Sequence, residues 1–264
     1  MKSISGKVIW ITGASSGIGE ALAYELNSRG NSLIISARRA KRLKEVKANC
    51  RFPDTVTIEP LDLADHDRMP EHVTNVLRVW GKVDILVNNA GLSQRSFIAD
   101  THMSVYKKLI DINYLGTVAL TKALLPHFIE MNAGHFVTVT SLMGRFGSPL
   151  RSGYCGAKHG LHGFFDVLRM EHQSDNIHVT LVCPGFVQTN VAVNALTEDG
   201  TAQQKNDSAT GNGMPVAVFA HKMTRAISQK KFEVYIGRKE VMGIYLKRFI
   251  PKLLHKVVMR SNVV

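Results

Sequence analysis

The chain has 264 residues, 45% of them hydrophobic, and a formal net charge of +12; that length buries a sizeable core without staples and suits one α/β domain or two small ones. Cys50, Cys155 and Cys183 form no CxxC pair and the eleven histidines form no HExxH or paired His/Cys cluster, which speaks against a disulfide framework and a metal site and fits reduced thiols in a cytosolic setting. No run of about 18 uninterrupted apolar residues occurs, so no membrane-spanning helix is expected, and the positive charge has no nucleic-acid-binding motif beside it.

In chain order, KVIWIT (7–12) reads as a first strand and not as a secretory leader, because it runs straight into the glycine turn TGASSGIG (12–19). SLIIS (32–36), TVTIEP (55–60), DILVNN (84–89), HFVTVTS (135–141), IHVTLVCP (177–184) and FEVYIG (232–237) follow. Each is short, β-branched and apolar nearly throughout, as strands covered on both faces are. Amphipathic stretches at 17–29, 40–49, 66–79, 104–131 and 153–174 read as helices between them. The alternation predicts an α/β fold, a doubly wound parallel sheet with helices on both faces. Two segments leave this rhythm. Residues 185–213 are polar and rich in Gly, Asn, Thr and Ala; with a helix over 215–229 opened by Pro215, they form an expected substrate-loop and lid region, 185–229. Residues 240–264 form a basic amphipathic tail interrupted by Pro251. No repeat or linker divides the chain, so one dinucleotide-binding domain over 1–264 is expected.

Gly13, Gly17 and Gly19 stand in G-x3-G-x-G spacing between the first strand and the first helix. Glycines there permit a tight turn and let backbone N–H groups approach a pyrophosphate at a helix N-terminus. Where the second strand ends, a site for NAD usually carries an acid that holds the ribose hydroxyls. Here stand Ala37, Arg38 and Arg39. A guanidinium pairs with a 2′-phosphate that an acid would repel, and Ser15 offers a hydroxyl, so NADP(H) is expected over NAD(H).

With TGASSGIG, the DL at 62–63, NNAG at 88–91, Asn113, Ser141 and YCGAK at 154–158 in that order, the chain resembles a classical short-chain dehydrogenase/reductase from Lys7 to about Gly237. LTKALLPHF, PGFVQTN and the basic apolar tail liken it most to the dehydrogenase/reductase branch with steroid- and retinoid-type members. The resemblance implies a Rossmann-type sheet of about seven strands. It implies cofactor contacts from Gly13, Ser15, Ser16, Gly17, Ile18 and Gly19, from Asp62 and Leu63 near the adenine, and from Asn89, Ala90 and Gly91 beside the adenine ribose. It places Pro184, Gly185, Val187 and Thr189 along the nicotinamide. It also implies a homodimer or homotetramer built on the helices 104–131 and 153–174.

Tyr154 and Lys158 are four residues apart and share one helix face. A free phenol, with a pKa of about 10, is a poor base near neutrality, and a neighbouring ammonium together with the positive nicotinamide ring of an oxidised cofactor favours its phenolate. Tyr154 is therefore expected to exchange a proton with an alcohol or ketone, with Ser141 steadying the substrate oxygen. The resemblance gives Lys158 a second bond to the nicotinamide ribose and gives Asn113 a water in a proton relay. Alone, Tyr154 would be a packed aromatic, Ser141 a strand-end turn residue and Asn113 a satisfied core amide; the ordered set makes the catalytic reading the better one.

The small residues Gly153, Cys155, Gly156, Ala157, Gly160 and Gly163 let this helix approach the sheet, the cofactor or a partner helix. His159 and His162 have no visible carboxylate partner and are read as incidental. Val191, Val193, Ala195 and Leu196 could wall a site for a hydrophobic carbonyl compound. The tail either caps the protein or lies on an anionic membrane surface, so a cytoplasmic protein with peripheral membrane contact is one reading. A nucleotide-binding sensor or scaffold without turnover is the alternative function, and an isomerase or dehydratase of the extended relatives would need a larger C-terminal substrate domain.

Overall fold

The computed structural model describes residues 4–261; residues 1–3, and 262–264 of the expected tail, lie outside the described residues. Seven parallel strands form the sheet: β1 (Val8–Thr12), β2 (Ser32–Ser36), β3 (Val56–Ile58), β4 (Ile85–Asn88), β5 (Gly134–Val139), β6 (Ile177–Pro184) and β7 (Glu233–Ile236). Their order is β3-β2-β1-β4-β5-β6-β7. The order reverses direction between β1 and β4, which opens a crevice at the carboxyl ends of the strands.

Alternation along each strand sorts the core into two faces. Ile9 and Ile11 of β1 join Leu33, Ile35, Val87 and Val182 under α1 (Gly17–Asn27) and α8 (Val216–Ser228). Trp10 joins Ile34, Leu86, Phe136 and Leu181 on the opposite face. There α3 (Met69–Trp80), α5 (Gly116–Glu130) and α6 (Ser152–Glu171) cover the sheet, through residues such as Val73, Leu120, Phe128 and Phe165. The indole N–H of the fully buried Trp10 donates to Ser36 Oγ at 2.8 Å, so its one polar atom is satisfied. A short α2 (Ala40–Ala48) follows β2.

The stretch expected as one helix over 104–131 is divided. Helix α4 (Met103–Ile110) leads into a π-helical turn at Asp111–Leu115, and α5 follows. The wider turn carries the fully buried Asn113, and Gly116 beyond it packs against the Leu63 carbonyl. Single π turns of this kind cluster at functional sites.

Of residues 185–213, expected to be irregular throughout, 185–207 are so. They lead into a one-turn helix, α7 (Ser208–Gly211), and are tied down by isolated bridges Gln94–Leu196, Val187–Met214 and Leu196–Ala202. Pro215 caps α8 rather than lying in its first turn. The tail folds into α9 (Met242–Phe249) and α10 (Pro251–Arg260), broken before Pro251, which cannot donate its backbone nitrogen. Leu254 and Val258 of α10 pack with Phe146 and Leu142 beside the crevice. Among the described residues no helix is long and apolar enough to cross a membrane.

Candidate active site

A cleft of about 600 Å³ opens along the carboxyl ends of β1, β2, β4, β5 and β6. Its floor at one end is the glycine turn. Gly13 has φ +67° and a Cβ there would lie 2.7 Å from Ala90 Cα. Gly17 has φ +58°, and its Cβ would lie 3.1 Å from Thr189 Cγ2. Side chains at either position would be strained and would fill the groove. Thr12 stitches this turn to the next loop: its Oγ1 accepts from Asn89 N at 3.0 Å and Ala90 N at 3.1 Å. Ser16, at the N-cap of α1, makes no side-chain cap, so first-turn amides remain available to an anion at the cleft.

Of the residues expected to touch a dinucleotide, nearly all line this one cleft. Ser15, Ser16, Gly17 and Ile18 form the turn; Asp62, Leu63, Asn89, Ala90 and Gly91 form one side; Pro184, Gly185, Val187 and Thr189 form the other. Gly19 does not line it. It is buried behind the turn, where a Cβ would press on Gly13 O and Asn89 Nδ2. Arg38 and Arg39 lie exposed at the rim next to Ala37, and Arg39 Nη2 donates to Ser15 Oγ at 3.2 Å. That bond gathers a guanidinium and a hydroxyl at the end of β2, where no acid follows Ala37.

Further along the cleft stand Ser141, Tyr154 and Lys158. Ser141 follows β5 in extended backbone and its Oγ accepts from Met143 N at 3.1 Å. The buried Lys158 donates from Nζ to Val139 O at 2.8 Å and lies 5.8 Å from the Tyr154 ring centre. Asn113 does not line the cleft. Its Nδ2 donates to Leu92 O at 2.8 Å and its Oδ1 accepts from Leu92 N at 2.7 Å. A Cβ on Gly91 would sit 3.0 Å from Asn113 Oδ1 and 3.5 Å from Lys158 Nζ, so Asn113 lies just behind these two cleft residues.

Burial shapes the ionisation of the pair. Burial pushes the Tyr154 hydroxyl above its ordinary value; the Ser141 hydroxyl bonded to it and the charges of Arg95 and Arg151 oppose that rise. Burial also pushes Lys158 down to about 8. Lys158 bonds a backbone carbonyl, and burial is the largest influence on both members of the pair.

Sequence reasoning missed the residues that build the other half of the cleft. Gln94 is fully buried, and its Oε1 accepts from Gly153 N at 2.8 Å and Tyr154 N at 3.3 Å, holding the first turn of α6. Arg95 and Arg151 line the cleft and bind Asp207. Glu240 accepts from Phe186 N at 3.1 Å and Arg238 N at 3.0 Å. The apolar wall uses the expected Val191 and Leu196 together with Leu142, Met143 and Phe186. Val193 and Ala195, expected there, do not line it; Ala195 is buried within the loop.

One other expectation is corrected. His162 does have a carboxylate neighbour: it is buried, with Nδ1 3.9 Å from Glu233 Oε1 and Nε2 3.9 Å from Cys183 Sγ. These three side chains are close enough to share an ion. Arg145, however, already pairs with Glu233, and burial holds the Cys183 thiol well above its ordinary value. Gly156 and Gly163 meet nothing within the chain, whereas Gly153 packs on Leu109 and Tyr106 and Gly160 on Tyr114.

The sequence model of the short chain dehydrogenase family matches residues 7–200. The chain belongs to the short-chain dehydrogenase/reductase family. Human dehydrogenase/reductase SDR family member 7 is 42% identical over 255 residues, covering 94% of this chain and 75% of that protein. The Drosophila melanogaster SDR family protein 7-like is 38% identical, covering 98% of this chain and 82% of that protein. These relatives bear out the dehydrogenase/reductase branch expected from the sequence. A short-chain dehydrogenase from Streptomyces avermitilis superposes with TM-score 0.82 at 27% identity, covering 97% of this chain and 98% of the other. A Burkholderia phymatum short-chain dehydrogenase/reductase, solved in complex with NAD, superposes with TM-score 0.83 at 21% identity, covering 100% and 99%, a likeness of fold. Members of this family are oxidoreductases acting on alcohol and carbonyl groups, and their fold binds a nicotinamide cofactor.

Proposed function

We propose that this short-chain dehydrogenase/reductase is an NADP(H)-dependent oxidoreductase of a hydrophobic secondary alcohol or ketone. The observation that carries the reading is that Tyr154, Ser141 and Lys158 open on the same cleft as the glycine turn and the Arg38–Arg39 rim. The tight approach of Gly13 to Ala90 and the uncapped first turn of α1 suit a pyrophosphate. Ser15, Arg38 and Arg39 would hold a 2′-phosphate, and Pro184, Gly185, Val187 and Thr189 would flank the nicotinamide, with Lys158 toward its ribose. When bound, that cofactor supplies or accepts the hydride.

The chain's own groups handle the proton. Tyr154 Oη gives it to a carbonyl oxygen in reduction and takes it from a hydroxyl in oxidation. Ser141 Oγ donates to the same oxygen and fixes its place. Asn113 and Lys158 both adjoin Gly91, and a water held by Asn113 would link Lys158 to solvent as the relay. Leu142, Met143, Phe186, Val191 and Leu196 favour an apolar substrate body. Reduction of ketones, quinones, retinoids and steroids with NADPH and with NADH tests this directly. Turnover with NADPH exceeding that with NADH by about tenfold or more supports it; equal use of both removes the cofactor assignment. Cofactor binding without turnover of any compound would favour the sensor or scaffold.

The oligomer and the tail complete the reading. Val167 and Met170 of α6 are exposed beside the open Gly156 and Gly163, and Met103 and Ile110 of α4 are exposed nearby in the helix pair expected to join subunits. We place the homo-oligomer contact there, in a cytoplasmic protein; Val167→Glu should lower the mass measured by light scattering. On the tail, Met242, Tyr245 and Phe249 recur at helical spacing along α9, and Leu253 and Val257 do so along α10 after Ile250 at its start, all exposed beside Lys252 and Lys256. Such a face suits peripheral contact with an anionic membrane.

A further inference from the structure

Between the tail helices and the loop that precedes α6 lies a second cavity, of about 300 Å³. Phe146 and Pro149 wall it on the loop side; Pro251, Leu254, Val258 and Met259 of α10 wall it on the other. That size is at the small end of ligand pockets, and an apolar lining with a few polar groups is their usual make-up. Ser148 is one polar side chain here, and its hydroxyl accepts from Arg151 Nη1 at 3.3 Å. The others are Lys247 of α9 and His255 of α10. Both are exposed, and neither side chain makes a hydrogen bond or ion pair with another described residue.

Charge decides what such a seat takes. Residues 241–261 carry Lys247, Arg248, Lys252, Lys256 and Arg260 and no Asp or Glu. The acid just before them, Glu240, accepts from the backbone of Phe186 and Arg238 and lines the substrate cleft instead. An apolar body ended by an anion would therefore use both features of the cavity, the apolar wall and the ammonium beside it.

The seat rests on the core. Phe146 is buried with Leu142 and Leu254, and Val258 packs on them. A Cβ on Gly243 of α9 would lie 2.8 Å from the Phe146 ring, so that helix sits close against it. Phe146 N donates to Leu142 O at 3.2 Å, and Gly144 N to Ser141 O at 2.9 Å, so the turn that starts at Ser141 runs into the cavity wall. The cavity and the substrate cleft share no lining residue.

We propose that this cavity binds an acyl chain ended by an anion, a free fatty acid or an anionic lipid. The chain lies against Phe146, Leu254 and Val258, and the anion meets Lys247 and His255. The inference does not depend on the reaction in the cleft. An occupant joins α9 and α10 to Phe146 and stabilises the folded chain by mass action.

The test is a titration of the full chain with cis-parinarate, a fluorescent fatty acid, below its micelle concentration. Fluorescence should rise saturably, oleate should displace the probe, and oleate should raise the Tm. Lys247→Glu and His255→Glu, both at exposed positions, should each weaken binding about fivefold or more. Arg38→Asp makes the same change in net charge as Lys247→Glu, at the rim of the cleft, and should leave binding within about twofold. Oleyl alcohol should displace the probe about tenfold less well than oleate. Co-sedimentation with phosphatidylserine vesicles separates the two sources. With a bilayer lipid as the ligand, Lys247→Glu lowers it more than Lys252→Glu does; with a free acid, the two variants match while probe binding falls only in the first. No saturable binding, full binding in the Lys247 and His255 variants, an equal loss in Arg38→Asp, or equal displacement by the alcohol overturns the site. Because the titration reads binding without turnover, a chain that binds as stated but turns over nothing would sink the proposed function and leave this site standing.

Discussion

The two ends of the cleft are built differently. At the cofactor end, short motifs close on neighbouring backbone: Gly13 against Ala90, and Thr12 Oγ1 under Asn89 and Ala90. At the substrate end, single side chains reach across long stretches of chain. Arg95 and Asp207 are 112 residues apart, and Arg151 and Asp207 are 56 apart. The first end tolerates little because it has no space; the second because its buried charges depend on one another.

The largest effect expected is at the glycine turn. Gly13→Val drives a branched side chain at positive φ into Ala90, and dinucleotide affinity should fall about 100-fold or more in a fluorescence titration, with the fold retained by circular dichroism. Binding within threefold of the parent would break the assignment of that end. Gln94→Leu is the counterpart at the substrate end. It leaves the Gly153 and Tyr154 amides without their side-chain acceptor, at a cost of about 1–3 kcal/mol. Thermal stability and kcat should both fall while cofactor affinity holds; a matching loss of affinity would show that the two ends are not separate. Arg38→Asp sharpens the cofactor end further: NADPH should weaken about tenfold or more relative to NADH.

The smallest expected effect is acid loosening of the shared sheet. Burial pushes His135, bonded to Thr180 at 2.8 Å, down to about 3, and pushes His162 down to about 4. Both are neutral when folded, while the unfolded chain binds protons below about 6.5. Stability from these groups is therefore level above pH ~6.5 and declines as pH falls toward 4. Melting curves between pH 7 and 4 should show a falling Tm with one transition. A pH-independent Tm, or two separating transitions, would argue against a common core beneath both ends.

The same contrast explains what the sequence could disclose. Strand runs such as VIWIT are apolar on both faces because both faces are covered, so the parallel sheet was legible, and the glycine turn and YCGAK carry their meaning in local spacing. The division of 104–131 was not legible, since nothing in LIDINYLGTVAL marks a π turn until Leu63 is seen packed on Gly116. Gln94, Arg95 and Asp207 carry no spacing signal, because their partners are distant along the chain. His162 looked incidental for the same reason: Glu233 lies on β7, beyond the substrate loop. Desolvation of the Tyr154–Lys158 pair, too, depends on enclosure that a one-turn spacing does not reveal.

The most direct measurement is single-turnover oxidation and reduction by Tyr154→Phe, read at the nicotinamide absorbance beside a cofactor titration of the same preparation. With Tyr154 as the proton donor and acceptor, cofactor affinity stays within about threefold and the rate falls by about 100-fold or more. Parental rates in that variant would contradict the assignment of Tyr154 as the acid/base group.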